Sequence, residues 1–202
     1  MITAMPARAA RRARFALAAG CAAVLAWTAA APAADAPSPT VVKDPRDAGA
    51  GAPDLTRVQL GLTSDRRLRA ALTTAVGWVA KDLLAKEGPP GSLCLRLWTV
   101  TKPGAAPPDY LACVTARQDG ETTRGTVFKT EAGQELTSVA GAIVGRTSER
   151  TVTLRFSQTA IGRPATIRFA AEATKPGCAR VSCIDTAPDA PKTATFKVRE
   201  GS

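Results

Sequence analysis

The sequence predicts an all-β protein: an antiparallel two-sheet β-sandwich of about nine strands, with one short helix near residues 78–86. Three observations carry the prediction. Apolar side chains alternate with period two in one short segment after another, which places them on a single face of a strand. Clusters of Gly and Pro separate those segments. Four cysteines follow an export signal, as in small extracellular domains held by disulfides.

The amino end sets the address. Arg8, Arg11, Arg12 and Arg14 precede an apolar run from Phe15 to about Ala30, and Ala31-Pro32-Ala33-Ala34 closes it with small residues. This is the order of a secretory signal peptide, 1–34, cut after Ala33 or Ala34, so the protein is expected to be secreted. The alternative is a lipoprotein anchored through Cys21, because Leu17-Ala18-Ala19-Gly20-Cys21 resembles a lipobox with its leucine one place early. A retained transmembrane helix is not expected, since Gly20 interrupts a run that is marginal against the ~20 residues a span needs. Residues 35–53 read as a flexible leader rich in Pro, Ala, Gly and Asp, and 54–202 as one β-sandwich domain.

Within the domain, Val58, Leu60 and Leu62 form the first alternating strand, and Thr63-Ser64-Asp65 turns the chain into a second, 67–74, with Leu68, Ala70 and Leu72 inward. Leu68, Leu72, Ala75, Val79 and Leu83 also fit one face of a helix starting at Ser64 or Asp65, but Gly77 interrupts it; a strand and then a short helical turn is the favoured reading. Leu93, Leu95 and Leu97 alternate next, then Tyr110, Ala112 and Val114. Segments at 126–130, 139–144, 151–156, 165–171 and 193–199 complete the nine, with Asp119-Gly120 and Ala132-Gly133 as turn signals between them.

Cys94, Cys113, Cys178 and Cys183 are the cysteines beyond the signal. If 93–98 and 110–114 form a hairpin that pairs Leu93 with Val114, Leu95 with Ala112 and Leu97 with Tyr110, then Cys94 faces Cys113. One register thus serves the core and the bridge together. Cys178 and Cys183 then close a small loop. Their spacing is not that of a redox pair, and without histidine they lack the partners of most zinc sites.

The chain carries 27 Lys and Arg against 17 Asp and Glu, a net charge of +10. The signal holds four of the arginines and no acid, leaving +6 beyond it. A basic exported protein meets anionic polymers. An extracellular glycan or an anionic envelope polymer is the expected partner, and the composition, heavy in Ala, Arg, Gly and Pro, suits a GC-rich bacterial genome. No specific nucleic acid is expected, since aromatics for base stacking are few and no basic helix recurs.

The absence of histidine removes the usual Ser-His and Cys-His nucleophile pairs. The expected class is a non-catalytic binding or structural module rather than an enzyme. A secreted protein-interaction or inhibitor-like domain is the first alternative. A two-carboxylate glycoside hydrolase is the second, drawing on Asp82, Glu87, Asp109, Glu121, Glu131, Glu135 and Glu172, although no sequence pattern couples any two of them.

Two constellations are candidate sites. Arg96, Trp98, Arg155, Arg168, Lys197 and Arg199 fall on outward positions of their strands and form a candidate ligand surface. Trp98 would either stack on a sugar ring or lie covered by the neighbouring disulfide and a loop. Asp44, Asp47 and Asp54 lead into the first strand and Asp185 and Asp189 precede the last. If those strands are neighbours, the five aspartates are a candidate structural Ca²⁺ site, against the alternative of ordinary turn residues. No other cofactor is expected.

The stretch Asp44-Pro45-Arg46-Asp47 to Asp54-Leu55-Thr56-Arg57-Val58 resembles the start of secreted bacterial β-sandwiches of the DOMON and family 9 carbohydrate-binding type. Leu93–Trp98, Leu154-Arg155-Phe156-Ser157 and Ile161-Gly162-Arg163-Pro164-Ala165 are similar to uncharacterised secreted proteins of GC-rich bacteria. The resemblance implies a sandwich that binds sugar or haem. Haem needs His or Met ligands and this chain offers neither beyond Met1 and Met5 of the signal, so the resemblance points toward sugar, with sparse aromatics to serve as a platform.

Overall fold

The computed structural model describes residues 37–47, 53–100, 106–131, 135–178 and 183–198. The expected signal peptide, with Cys21, and Arg199 lie outside the described residues. None of the described helices is long and apolar enough to cross a membrane.

The described residues form eleven antiparallel strands: β1 (Thr40–Lys43), β2 (Leu55–Leu62), β3 (Leu68–Thr74), β4 (Ser92–Trp98), β5 (Tyr110–Ala116), β6 (Thr123–Thr130), β7 (Leu136–Arg146), β8 (Thr151–Phe156), β9 (Thr166–Thr174), β10 (Ile184–Ala187) and β11 (Ala194–Lys197). The all-β antiparallel character expected from the period-two pattern is therefore present. The expected short helix is a single 3₁₀ turn, Ala80–Leu83, and a second turn covers Gln158–Ile161. Leu68, Ala70 and Leu72 point into the core of β3, which rules out the helix starting at Ser64 or Asp65.

In place of two separate sheets, the strands follow one continuous path, β1-β2-β3-β8-β7-β6-β5-β4-β9-β10, with β11 also on β9. The eleven-residue β7 makes this continuity. Its first half pairs with β6 and its last four residues, Ile143–Arg146, pair with β8, so one strand turns the corner between the two halves. A register shift between Val127 and Phe128 lies on the β6 side of this corner, where such an irregularity bends and twists a sheet. The path brings its ends near each other in a nearly closed, barrel-like arrangement. At the seam the Thr40 hydroxyl donates to the Thr195 carbonyl of β11 at 3.1 Å, and the Leu55 amide of β2 donates to the Asp185 carboxylate of β10 at 2.6 Å.

The inward faces meet in one apolar core. Phe156, Phe169 and Phe196 are its largest fully buried side chains, surrounded by leucines of β2, β3, β4 and β8. The β4–β5 hairpin has the register read from the sequence: Leu93 opposite Val114, Cys94 opposite Cys113, Leu95 opposite Ala112 and Leu97 opposite Tyr110. Both disulfides are formed, Cys94–Cys113 and Cys178–Cys183, as expected of a chain that folds in an oxidising compartment.

Candidate functional site

β4 and β9 pair directly, Trp98 opposite Arg168, Arg96 opposite Ala170 and Cys94 opposite Glu172. The leucines of β4 occupy the core face, so the pleat sends Arg96 and Trp98 outward, beside Arg168 and Glu172 of β9. The result is a layered cluster. The Arg96 guanidinium lies 5.2 Å from the centre of the Trp98 ring and that of Arg168 5.8 Å, within the range of cation–π attraction. Trp98 is 6 % exposed and its indole N–H donates to the Ala106 carbonyl at 2.8 Å. Trp98 is therefore covered, as the second reading expects, but the groups found around it are the two arginines and the segment at Ala106.

The two arginines hold charge with little to neutralise it. Arg96 Nε stands 3.6 Å from Glu172 Oε2, an ion pair longer than a hydrogen bond, and the Nε donors of both arginines are buried without an acceptor. Burial pushes the Glu172 carboxyl above its ordinary range, and Arg96 offsets part of that rise. Beside the cluster a pocket of about 100 Å³ is walled by Arg96, Trp98 and Arg168 and rimmed by Lys192, while a second pocket of about 280 Å³ lies across Trp98 and Arg168, toward Pro164. Lys197 of β11 pairs with Thr166, two residues from Arg168 on the outward side of β9, which puts it on this same face.

Arg155 does not join them. It sits on β8 between Arg69 of β3 and Ile143 of β7, and β8 is five steps from β9 along the strand path. The expected stripe therefore reduces, among the described residues, to Arg96, Trp98, Arg168 and Lys197, because outward parity does not say which strands are neighbours. Two contributors were missing from the sequence reading of this surface. Glu172 reads in the sequence only as one of several uncoupled acids, and Lys192 lies on the loop before β11, where no periodicity marks it.

The five aspartates do come together. Carboxylate oxygens of Asp44, Asp47 and Asp189 lie within 4.8 Å of one another, and so do those of Asp47, Asp54 and Asp185, with Asp47 common to both triads. Pairing of β1 with β2 and the closeness of β10 to β2 position them at the seam. Asp185 is 8 % exposed, and one oxygen each of Asp44 and Asp54 is out of solvent with no hydrogen-bond donor. Desolvation, then the charges of Asp189, Asp47 and Asp185, raises the Asp44 carboxyl to about 6. Asp185 is raised as well, first by burial, with the Leu55 amide offsetting part. Carboxylates crowded in this way are stabilised by a proton or by a cation.

No family model, curated protein or solved structure matches this chain.

Of the acids considered for hydrolysis, Asp82 and Glu121 line one cleft, and several others are engaged elsewhere. Glu172 pairs with Arg96 and Glu131 with Lys129, while Asp109 accepts the amides of Thr99 and Val100. Asp82 caps its 3₁₀ turn by accepting the Val79 amide at 2.8 Å.

Proposed function

We propose that the protein is a secreted, non-catalytic binding module whose outer β4–β9–β11 face takes an anionic envelope polymer. One observation carries this reading: two guanidinium groups converge on one tryptophan, their Nε donors are buried without acceptors, and a single carboxylate opposes them. A phosphate, sulfate or carboxylate in the smaller pocket gives both arginines a partner with charge-assisted geometry. The second pocket and Lys197 extend the face, as a repeating polymer requires.

Binding to purified poly(glycerol phosphate), followed by titration calorimetry, tests the reading. The affinity should fall with added salt, because the contacts are ionic, and the double variant Arg96→Gln/Arg168→Gln should weaken it at least tenfold. Equal binding to uncharged dextran, or an unaffected double variant, would overturn it.

A second element of the reading is a calcium ion at the seam, held by Asp44, Asp47, Asp54, Asp185 and Asp189. Five carboxylates in two triads that share Asp47, with a buried, donor-free oxygen on Asp44 and on Asp54, suit a hard cation that takes six to eight oxygen ligands. Its role is to hold the two ends of the strand path together. An alternative to polymer binding is a protein interface, favoured by the exposed Leu136, Val139 and Ile143 on β7. Co-purification of one defined protein, lost when Val139 and Ile143 are changed to Ser, would support that alternative.

A further inference from the structure

A second arginine cluster lies where the β2–β3 turn meets the connection from β8 to β9. The two segments border a pocket of about 320 Å³, with Asp65, Arg66 and Arg67 on the turn and Gln158 and Arg163 on the connection. Its size is at the lower end of the ~300–1,000 Å³ common for small-molecule sites. It shares no lining residue with the two pockets beside Trp98 and does not rest on the polymer reading. Among the described residues that line it, none has an apolar side chain, so it offers nothing to a hydrophobic ligand.

Backbone conformation singles out two of these residues. Arg66 has φ 58° and Arg163 φ 52°, and among the described residues these two are the non-glycine residues in the left-handed region. That region costs any residue with a Cβ conformational energy and is ordinarily filled by glycine, and such outliers cluster at ligand clamps and active sites. Here both are arginines and both line one pocket. Gln158 holds the pair: its side-chain amide donates to the Arg66 carbonyl at 2.6 Å, and its main-chain carbonyl accepts the Arg163 amide at 2.9 Å. The charges of the two are unspent. Both side chains are exposed, and neither has an ion-pair or hydrogen-bond partner among the described residues. Asp65, the acid of the pocket, is already engaged by Arg67 at 3.2 Å and by the Thr63 hydroxyl. Its carboxyl is held below the ordinary range, chiefly by that hydroxyl and further by Arg67 and Arg155. Arg155, which the outer face does not use, stands opposite Arg69 of β3 and adds positive charge at this end.

We propose that this pocket binds a phosphate dianion, either the free ion or the monoester of a polar carrier. Three arginines against one aspartate give it a formal charge of +2, which matches the charge of about −1.5 to −2 that a phosphate monoester carries near pH 7. The guanidinium groups of Arg66 and Arg163 each offer paired N–H donors to its oxygens, and Arg69 and Arg155 draw the anion toward them. Other ligands satisfy only part of this lining. A carboxylate or a phosphodiester brings one charge and leaves a guanidinium unanswered, an uncharged sugar leaves both, and a cation is repelled. No bond is made or broken.

Calorimetric titration with glucose 6-phosphate, inorganic phosphate, dimethyl phosphate and glucose tests the proposal. Glucose 6-phosphate should saturate one site, inorganic phosphate should displace it, and dimethyl phosphate and glucose should bind at least tenfold more weakly. Inorganic phosphate as tight as the ester assigns the site to the free ion, and weaker inorganic phosphate assigns it to the monoester. Arg66→Gly/Arg163→Gly removes both guanidinium groups and gives each position the residue its backbone favours, so affinity should fall tenfold or more while the melting temperature holds or rises. Arg66→Gln/Arg163→Gln should lose binding to the same extent. Arg96→Gln/Arg168→Gln should leave glucose 6-phosphate affinity within twofold, which separates this site from the outer face. Absence of saturation, dimethyl phosphate or glucose binding as tightly as glucose 6-phosphate, or unchanged binding in either Arg66/Arg163 double variant would overturn the proposal.

Discussion

At the scale of single residues, Glu172 governs the outer face. Its carboxylate is the counter-charge of Arg96 and competes with any incoming anion for that guanidinium. Glu172→Gln should therefore strengthen binding of an anionic polymer severalfold, and the gain should vanish in an Arg96→Gln background. The pH dependence has the same origin. The carboxyl is raised above its ordinary range, chiefly by burial, so acidification neutralises it before an unperturbed glutamate and frees Arg96. Polymer affinity measured by calorimetry should rise as pH falls through that range in the wild type and stay flat in Glu172→Gln. Of this surface, the sequence shows which residues point outward, since Arg96 and Trp98 alternate with core leucines. It does not show that β9 is the neighbour of β4, so the pairing with Arg168 and Glu172, and the exclusion of Arg155, needed the fold.

At the scale of elements, strand β7 decides the architecture, and two glycines, one on its neighbour β6 and one on β7 itself, have opposite roles. Gly125 of β6 faces Ala142 of β7, and a Cβ at Gly125 would stand 2.5 Å from the Ala142 carbonyl oxygen and 2.9 Å from Val144 Cγ2. Gly141, one residue along β7, has nothing within 4 Å of a Cβ. Gly125→Ala should cost about 1–3 kcal/mol by overpacking the corner, read as a lower midpoint in chemical denaturation. Gly141→Ala should be neutral or slightly stabilising. The strong strands are legible because three or more apolar residues at alternate positions leave little ambiguity, as with Val58, Leu60 and Leu62 of β2 and Ile167, Phe169 and Ala171 of β9. Thr40–Lys43 and Ile184–Ala187 are not legible as strands in the sequence for a physical reason. Each has four residues, too few to show a period, and each lies among prolines that read as leader or loop. The leader assigned to 35–53 thus contributes an edge strand, and both missed strands lie at the seam.

At the scale of the whole molecule, the seam joins the two ends of the strand path, and its electrostatics oppose closure at neutral pH. Asp44 has a carboxyl at about 6 in the folded protein against 3.8 ordinarily. A group whose folded value is raised binds its proton more tightly in the native state, so its contribution to stability is complete below about pH 4 and is lost as pH rises through about 6. The shift corresponds to about 3 kcal/mol unscreened, and partial exposure reduces this to about 1 kcal/mol. That is enough to move the melting temperature by about 2–4 °C in a chain of this size. In chelator, the wild type should therefore melt higher at pH 5 than at pH 7.5, and Asp44→Asn should raise the pH 7.5 value and flatten the profile. Calcium at pH 7.5 should reproduce the stabilisation in the wild type, because a cation relieves the same repulsion that a proton relieves, and should give less in Asp44→Asn, which has lost one ligand. Calcium that leaves the wild-type melting temperature unchanged at neutral pH, while acid still raises it, would show that protons alone relieve the seam and that the five aspartates hold no metal.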